Sequence, residues 1–175
     1  MAVLRTREPG GAPGAEALRD LLLDGRVEWS LAAETLLHFA ARAEHVERAI
    51  RPALQAGTWV VCDRFADSTM AYQGYGLGAD RGRIAALTAM MAMVPDLTLV
   101  LDVSEAVAVE RMRTRARQLD RYERMDAAFH ARVRQGFRTI ARTTPRRCVL
   151  VDADGTPEQV HAAVMAAVGR RLGVE

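Results

Sequence analysis

Two charged residues stand directly after an apolar run, where a buried strand would end. Residues 58–62, TWVVC, are largely apolar, and Asp63 and Arg64 follow them at once. Charge at a strand tip is costly unless a ligand or partner requires it. An aspartate there can hold a magnesium ion through water, and an arginine can donate two hydrogen bonds to a phosphate. The alternative is an internal Asp63–Arg64 ion pair.

The residues around this pair favour a nucleotide as the ligand. Ser68 and Thr69 stand near a predicted helix start, where hydroxyls and backbone N–H groups can bind an anion. Tyr72 and Gln73 add a flat ring and a bidentate amide, which suit a nucleobase edge or a sugar. Glu8 follows the first predicted strand in TREPGG, whose two glycines permit close backbone approach.

A second pair lies on a predicted helix. His38 and Arg42 are four residues apart in HFAAR, so their side chains share one helix face and could contact one ligand. The imidazole would change its charge near neutral pH. The alternative is a solvated helix surface, which the neighbouring charged residues Glu44, Glu47 and Arg48 would also suit.

One segment is unusually rich in arginine. ERMRTRARQLDRYER places six guanidinium groups between residues 110 and 124, at Arg111, Arg113, Arg115, Arg117, Arg121 and Arg124. Their spacing spreads them around a helix, so a loop that closes over phosphates is as natural an interpretation as a solvated basic helix. Asp120 and Glu123 could orient Arg121.

Composition narrows the class of protein. The chain has 175 residues and a net charge of +2, which argues against a general nucleic-acid binder. Its apolar runs are too short for a membrane span, and two cysteines in apolar runs suggest reduced thiols in a cytoplasmic protein. All 24 basic residues are arginine, so no function that requires a lysine can be met by these residues.

Apolar strands and helices must alternate to position these groups. The pattern predicts strands over 3–6, 58–62, 97–103 and 148–151, and helices over 15–24, 30–56, 67–75, 82–94, 104–117, 124–142 and 156–172. Such alternation predicts an α/β fold with a mostly parallel sheet, covered on both faces. Ligands bind such sheets beyond the carboxyl ends of the strands, where Arg7–Glu8, Asp63–Arg64, Asp102 and Asp152–Asp154 stand.

Taken together, the motifs resemble the thymidylate kinase family of P-loop nucleoside-monophosphate kinases. The matching segments are REPGG, AAETLLHF, AAR, GTWVVCDRFADSTMAYQG, PDLTLVLDV, LDRYE and VDADGTPEQV, in the family's order and over nearly the whole chain. The resemblance implies one domain with a P-loop NTPase-like three-layer sandwich. It also implies transfer of the ATP γ-phosphoryl group to dTMP with Mg²⁺, a homodimer, and no nucleic-acid or membrane partner.

The resemblance also implies roles for individual residues. Substrate binding falls to Glu8, His38, Arg42, Arg64, Ser68, Thr69, Tyr72 and Gln73, and magnesium lies near Asp63 and Glu8. Residues 111–124 would be the lid. Catalysis would use Asp63, Arg64, Arg113, Arg115, Arg117 and Arg121, and the ATP side would use Arg115, Arg121 and Asp154.

The sequence departs from the family at two points. His38 stands where the family usually has a phenylalanine that stacks on thymine, and Phe39 is the alternative stacking residue. These residues also contain no G-x-x-x-x-G-K-[ST] segment. We therefore expect a chain that lacks the first central strand and the P-loop, and whose kinase activity is absent or impaired. A non-catalytic nucleotide-binding module and a kinase for another nucleoside monophosphate are the alternatives.

Overall fold

The computed structural model describes residues 1–114 and 121–174, which form two compact units. Among the described residues, the first unit comprises 1–93 and 121–125, and the second comprises 94–114 and 126–174. The expectation of a single domain stays a prediction. No helix in the described part of the chain is long and apolar enough to cross a membrane.

The first unit is built on two parallel strands and the helices between them. Its elements are β1 (Val3–Arg7), α1 (Pro13–Leu23), α2 (Leu31–His45), a π-helical segment (Val46–Ile50), α3 (Arg51–Gln55), β2 (Trp59–Asp63), α4 (Ala66–Thr69), a second π-helical segment (Met70–Gly76) and α5 (Arg81–Met90). The register of β1 and β2 runs from Val3 opposite Trp59 to Arg7 opposite Asp63. Ala12, Ala15 and Ala41 are buried together, and such small side chains let α1 pack closely on α2.

The second unit has the same plan. It contains β3 (Thr98–Asp102), α6 (Glu105–Thr114), α7 (Ala127–Thr143), β4 (Cys148–Asp152) and α8 (Pro157–Leu172). The two strands are parallel, with Thr98 opposite Cys148 and Asp102 opposite Asp152. Its core is formed by Phe129 and Val133 of α7 and by Cys148 and Val151 of β4.

Helix boundaries follow the capping residues. Ser30 accepts a hydrogen bond from the Ala33 N–H, and Thr156 forms a reciprocal capping box with Gln159, so the helix starts predicted at residues 30 and 156 are confirmed. The helix that follows the arginine-rich segment begins at Ala127 and not near Arg124, because the Asp126 side chain accepts a hydrogen bond from the Phe129 N–H.

The strand prediction is confirmed in number and direction for the described residues, since all four predicted strands form and each pair is parallel. One part differs. Hydrogen bonds join the strands as β1–β2 and β3–β4, so they form two sheets of two strands instead of one sheet. Val61 and Leu101 are 58% and 54% exposed, so the strands are not covered on both faces as expected. An apolar pattern identifies a strand but not its neighbour.

Candidate functional site

The carboxyl ends of β1 and β2 bring two predicted site residues to one edge of the first unit. The register places Arg7 opposite Asp63, and the Glu8 N–H donates to the Asp63 carbonyl over 2.9 Å. Asp63 is exposed at this edge, whereas Glu8 is only 6% exposed. Parallel strands therefore position both carboxylates as the sequence predicted, but in different environments.

Glu8 holds Arg42 in a buried ion pair. Arg42 Nε donates to Glu8 Oε2 over 2.7 Å, and Arg42 Nη2 donates to the Thr69 hydroxyl over 3.1 Å. The Arg42 side chain is 3% exposed, so the alternative of a solvated helix surface is wrong for this residue. Three predicted site residues, from a strand tip and two helices, thus form one contact network.

His45, which the sequence interpretation did not select, supports this ion pair. Its Nδ1 lies 3.2 Å from Glu8 Oε1, its Nε2 lies 2.7 Å from the Thr6 hydroxyl, and it is fully buried. Gly11 packs over the pair with a φ of +84°, and a Cβ there would collide with the His45 and Thr6 side chains. The REPGG turn therefore needs a glycine at this position for space as well as for conformation.

One donor of Arg42 is left unsatisfied within the described residues. Nη1 is buried and has no hydrogen-bond partner there. The guanidinium carbon lies 4.9 Å from the centre of the Phe39 ring and 5.3 Å from that of Phe65. A buried cationic N–H without an acceptor is costly. A phosphate or carbonyl oxygen from a ligand would satisfy it.

A second buried cluster surrounds Glu34 in α2. Glu34 is 1% exposed, and its Oε1 accepts from Gln73 Nε2 over 3.0 Å and from the Tyr122 hydroxyl over 2.9 Å. Its Oε2 pairs with Arg121 Nη1 over 2.8 Å. Glu34 therefore orients Arg121. The same role for Asp120 and Glu123 stays a prediction, and Asp120 lies outside the described residues. In the sequence, Glu34 could have been found as the acid that stands among apolar residues in AAETLLHF.

His38 lies beside this cluster and stays uncharged. Its Nε2 is 3.1 Å from the Tyr122 hydroxyl. Burial, followed by the positive charges of Arg42, Arg121 and Arg64, lowers the His38 pKa from 6.5 to about 4. The expectation that His38 changes charge near neutral pH is therefore wrong, because the fold both desolvates the ring and surrounds it with guanidinium groups.

We expect His38 to make the folded state less stable in acid. Its pKa is about 4 when folded and about 6.5 when unfolded, so the unfolded chain takes up a proton first as the pH falls. The stability that neutral His38 gives to the folded state is complete above pH 6.5 and is lost as the pH falls towards 4. The slope is at most about 1.4 kcal/mol per pH unit. Urea unfolding at several pH values should show a shallower acid loss in His38→Phe than in wild type, and equal slopes would contradict this pKa.

Arg64 occupies an unusual backbone position at the tip of β2. Its φ is +66°, in the left-handed region that few side chains other than glycine adopt. Its guanidinium lies over the Tyr72 ring at 4.9 Å, and Tyr72 meets Tyr122 edge to face at 5.5 Å. Such strain clusters at ligand sites. Neighbouring Cys62 has a pKa raised to about 12 by burial and by the charges of Glu8 and Asp63, so its thiol stays protonated at neutral pH.

Asp154 and Asp102 lie in the second unit. Asp154 accepts from the Ser104 N–H over 2.6 Å, which lowers the Asp154 pKa. Asp102 is paired with Arg134 at 2.7 Å and with Arg138 at 3.3 Å. A cavity of 420 Å³ opens between the end of β3 and the start of α8, lined by Leu101, Val103, Arg111, Ala153, Pro157 and Val160.

The arginine-rich segment is described only in part. Arg113 is exposed on α6, and Arg121 belongs to the Glu34 cluster, whereas Arg115 and Arg117 lie outside the described residues. Ser68 stands in α4, one residue before Thr69. Within residues 1–114 and 121–174, no three metal-binding side chains converge, so the magnesium role of Glu8 and Asp63 stays a prediction.

Known proteins are similar to this chain in both sequence and fold. The family model for thymidylate kinase matches residues 1–164. The thymidylate kinase of Gluconobacter oxydans is 50% identical over 99% of this chain and 83% of its own length. That of Caulobacter vibrioides is 49% identical over 98% of this chain and 84% of its own. The crystal structure of thymidylate kinase from Ehrlichia chaffeensis superposes with a TM-score of 0.75 at 36% identity, over 95% of this chain and 79% of that one. These matches identify the chain as a member of the thymidylate kinase family, whose members are nucleoside-monophosphate kinases.

Proposed function

We propose that the first unit binds dTMP and that the protein's reaction transfers the γ-phosphoryl group of ATP to it, giving dTDP. One observation carries the proposal: Arg42 is buried, paired through Nε, and left with an unsatisfied Nη1 donor within the described residues. A ligand with an anionic or carbonyl oxygen is what such a donor needs. The family matches support dTMP as the nucleotide.

The residues around Arg42 have complementary roles. Arg42 and Arg64 bind the nucleotide phosphate and approach the base from the same side. Thr69 holds the guanidinium of Arg42 in place, since it accepts from Nη2. Tyr72, Gln73 and Ser68 line the nucleoside. His38 offers a neutral ring, which suits an uncharged base because no charge has to be desolvated.

Phosphoryl transfer depends mainly on positioning and on charge stabilisation. Arg113, Arg115, Arg117 and Arg121 are proposed to neutralise the transferring group, and Asp154 to lie on the ATP side. When bound, Mg²⁺ would offset the negative charge of the nucleotide phosphates. Asp63 fits this ion through water because its carboxylate is exposed at the strand tip, whereas both Glu8 oxygens hold Arg42 and His45.

These 175 residues alone are proposed to be impaired as a kinase. They contain no lysine and no G-x-x-x-x-G-K-[ST] segment to cradle the β- and γ-phosphates. The same feature favours the second candidate function, a nucleotide-binding module without catalysis. A cytoplasmic homodimer without nucleic-acid or membrane partners is proposed from the family and from the composition.

Replacing Arg64 tests the phosphate site. We expect Arg64→Ala to weaken dTMP binding by about ten- to a hundredfold, because the phosphate loses a charge-assisted partner. Isothermal titration calorimetry measures the change, and Arg83→Ala, an exposed arginine of α5 in the same unit, is the matched control. Equal dTMP affinity in Arg64→Ala and wild type would assign Arg64 a structural role instead.

A further inference from the structure

Glu34 contacts the nitrogen end of the Gln73 side-chain amide. The side chain of Gln73 is 1% exposed, and both hydrogen bonds that it makes within the described residues are donated by its nitrogen. One reaches Glu34 Oε1 over 3.0 Å, and the other reaches the Tyr122 hydroxyl over 3.0 Å. The amide oxygen is thus the end that remains for a ligand.

The negative charge of Glu34 fixes the orientation of the Gln73 amide. Glu34 is paired with Arg121, and an ionised carboxylate can only accept hydrogen bonds. The amide group facing it must therefore be the NH₂ end, since an amide oxygen there would oppose a second acceptor. The Tyr122 hydroxyl gives its single proton to Glu34, so it too presents an acceptor to Gln73.

His38 is a further hydrogen-bond donor in this cluster. The oxygen of Tyr122 has no further proton to give, and His38 Nε2 lies 3.1 Å from it. His38 must therefore carry its proton on Nε2 and donate it to Tyr122. Within the described residues, an inverted Gln73 amide would place its oxygen against two acceptors, Glu34 Oε1 and the Tyr122 hydroxyl oxygen.

We propose that Glu34 is a positioning residue that presents the Gln73 carbonyl oxygen to the nucleobase, and so selects a base with a ring N–H at that point. The inference rests on the proposed function, in which Gln73 lines the nucleoside site. Thymine has an N–H at N3 and can donate to this oxygen. Cytosine has an unprotonated N3 at neutral pH, so its lone pair would face the carbonyl oxygen and repel it.

Glu34→Gln tests the claim, because glutamine at this position offers either an oxygen or an NH₂ group to Gln73 and lets the amide turn. Calorimetric titration with dTMP and dCMP gives the ratio of the two dissociation constants at neutral pH. We expect wild type to bind dTMP more tightly than dCMP. In Glu34→Gln, the ratio of the dCMP to the dTMP dissociation constant should fall at least about tenfold. Glu47→Gln, whose side chain is 61% exposed at a helix position paired with Arg51, should keep it.

A second variant separates Glu34 from its neighbour. Tyr122→Phe removes the hydroxyl but leaves the carboxylate, so it should retain the preference for dTMP even if affinity changes. Unaltered preference in a folded Glu34→Gln protein, or a wild type that binds dTMP and dCMP equally, would overturn the inference. A wild type that binds neither nucleotide would instead contradict the proposed function.

One measurement needs neither a ligand nor a folded Glu34→Gln protein. In the free wild-type protein, both side-chain amide protons of Gln73 should exchange slowly with solvent, because each is donated to a buried acceptor. Nuclear magnetic resonance of that NH₂ group, assigned through its loss in Gln73→Leu, gives the rates. Rapid exchange of both protons would overturn the orientation even if Glu34→Gln did not fold.

Discussion

The purified 175-residue chain should form dTDP from ATP and dTMP at least about 10³-fold more slowly than the Gluconobacter oxydans thymidylate kinase, its 50% identical relative. Removing a single charge-stabilising arginine from a phosphoryl-transfer site costs about 10³–10⁵ in rate. Here no lysine is present anywhere in the sequence to contact the β- and γ-phosphates. A coupled assay of nucleoside-diphosphate formation makes the comparison.

Binding distinguishes this outcome from a misfolded preparation. The same sample should bind dTMP in calorimetry, because Arg42, Arg64 and Gln73 all lie in the described first unit. Rapid ATP-dependent formation of dTDP by these 175 residues would contradict the prediction, and it would mean that other groups replace the lysine.

Arg42→Ala should lower the free energy of unfolding by about 3–5 kcal/mol, the usual cost of removing one partner from a buried ion pair. Both side chains of the pair are almost inaccessible, with Arg42 3% and Glu8 5% exposed. Among the described side chains, the substitution leaves His45 as the remaining hydrogen-bond partner of the buried Glu8 carboxylate. It also removes the guanidinium packed on Phe39 and Phe65.

Arg48→Ala is the matched control in the π-helical segment that continues α2. The Arg48 side chain is 72% exposed, and its Nε lies 3.5 Å from Glu44 Oε1. An exposed i,i+4 pair contributes about 0.5 kcal/mol or less. Urea unfolding monitored by circular dichroism gives both values. Equal losses in the two variants would mean that the Glu8–Arg42 pair is not the buried support described above.

The convergence of Glu8 and Asp63 could be predicted because it depends on a simple rule. Consecutive parallel strands end at the same edge, so polar residues that follow them meet there. Helix starts at Ser30 and Thr156 could be read for a similar reason, since a cap acts on residues only two or three positions away.

Glu34 and His45 could not be assigned in this way. Their partners are distant in sequence: Gln73 and Tyr122 lie 39 and 88 residues from Glu34, and Glu8 lies 37 residues from His45. A helix pattern shows that an acid stands among apolar residues but does not show what it pairs with. The charge state of His38 was missed for the same reason, because its low pKa depends on burial and on guanidinium groups brought together by the fold.

Titration of wild-type protein with dTMP tests the central claim most directly. The claim is that buried Arg42 and Gln73, together with the exposed Arg64, form a thymidylate site. The account predicts saturable binding of one dTMP per chain, tighter than that of dCMP or AMP, and weakened in Arg64→Ala. Absence of saturable dTMP binding by a folded sample, or tighter binding of AMP than of dTMP, would contradict it.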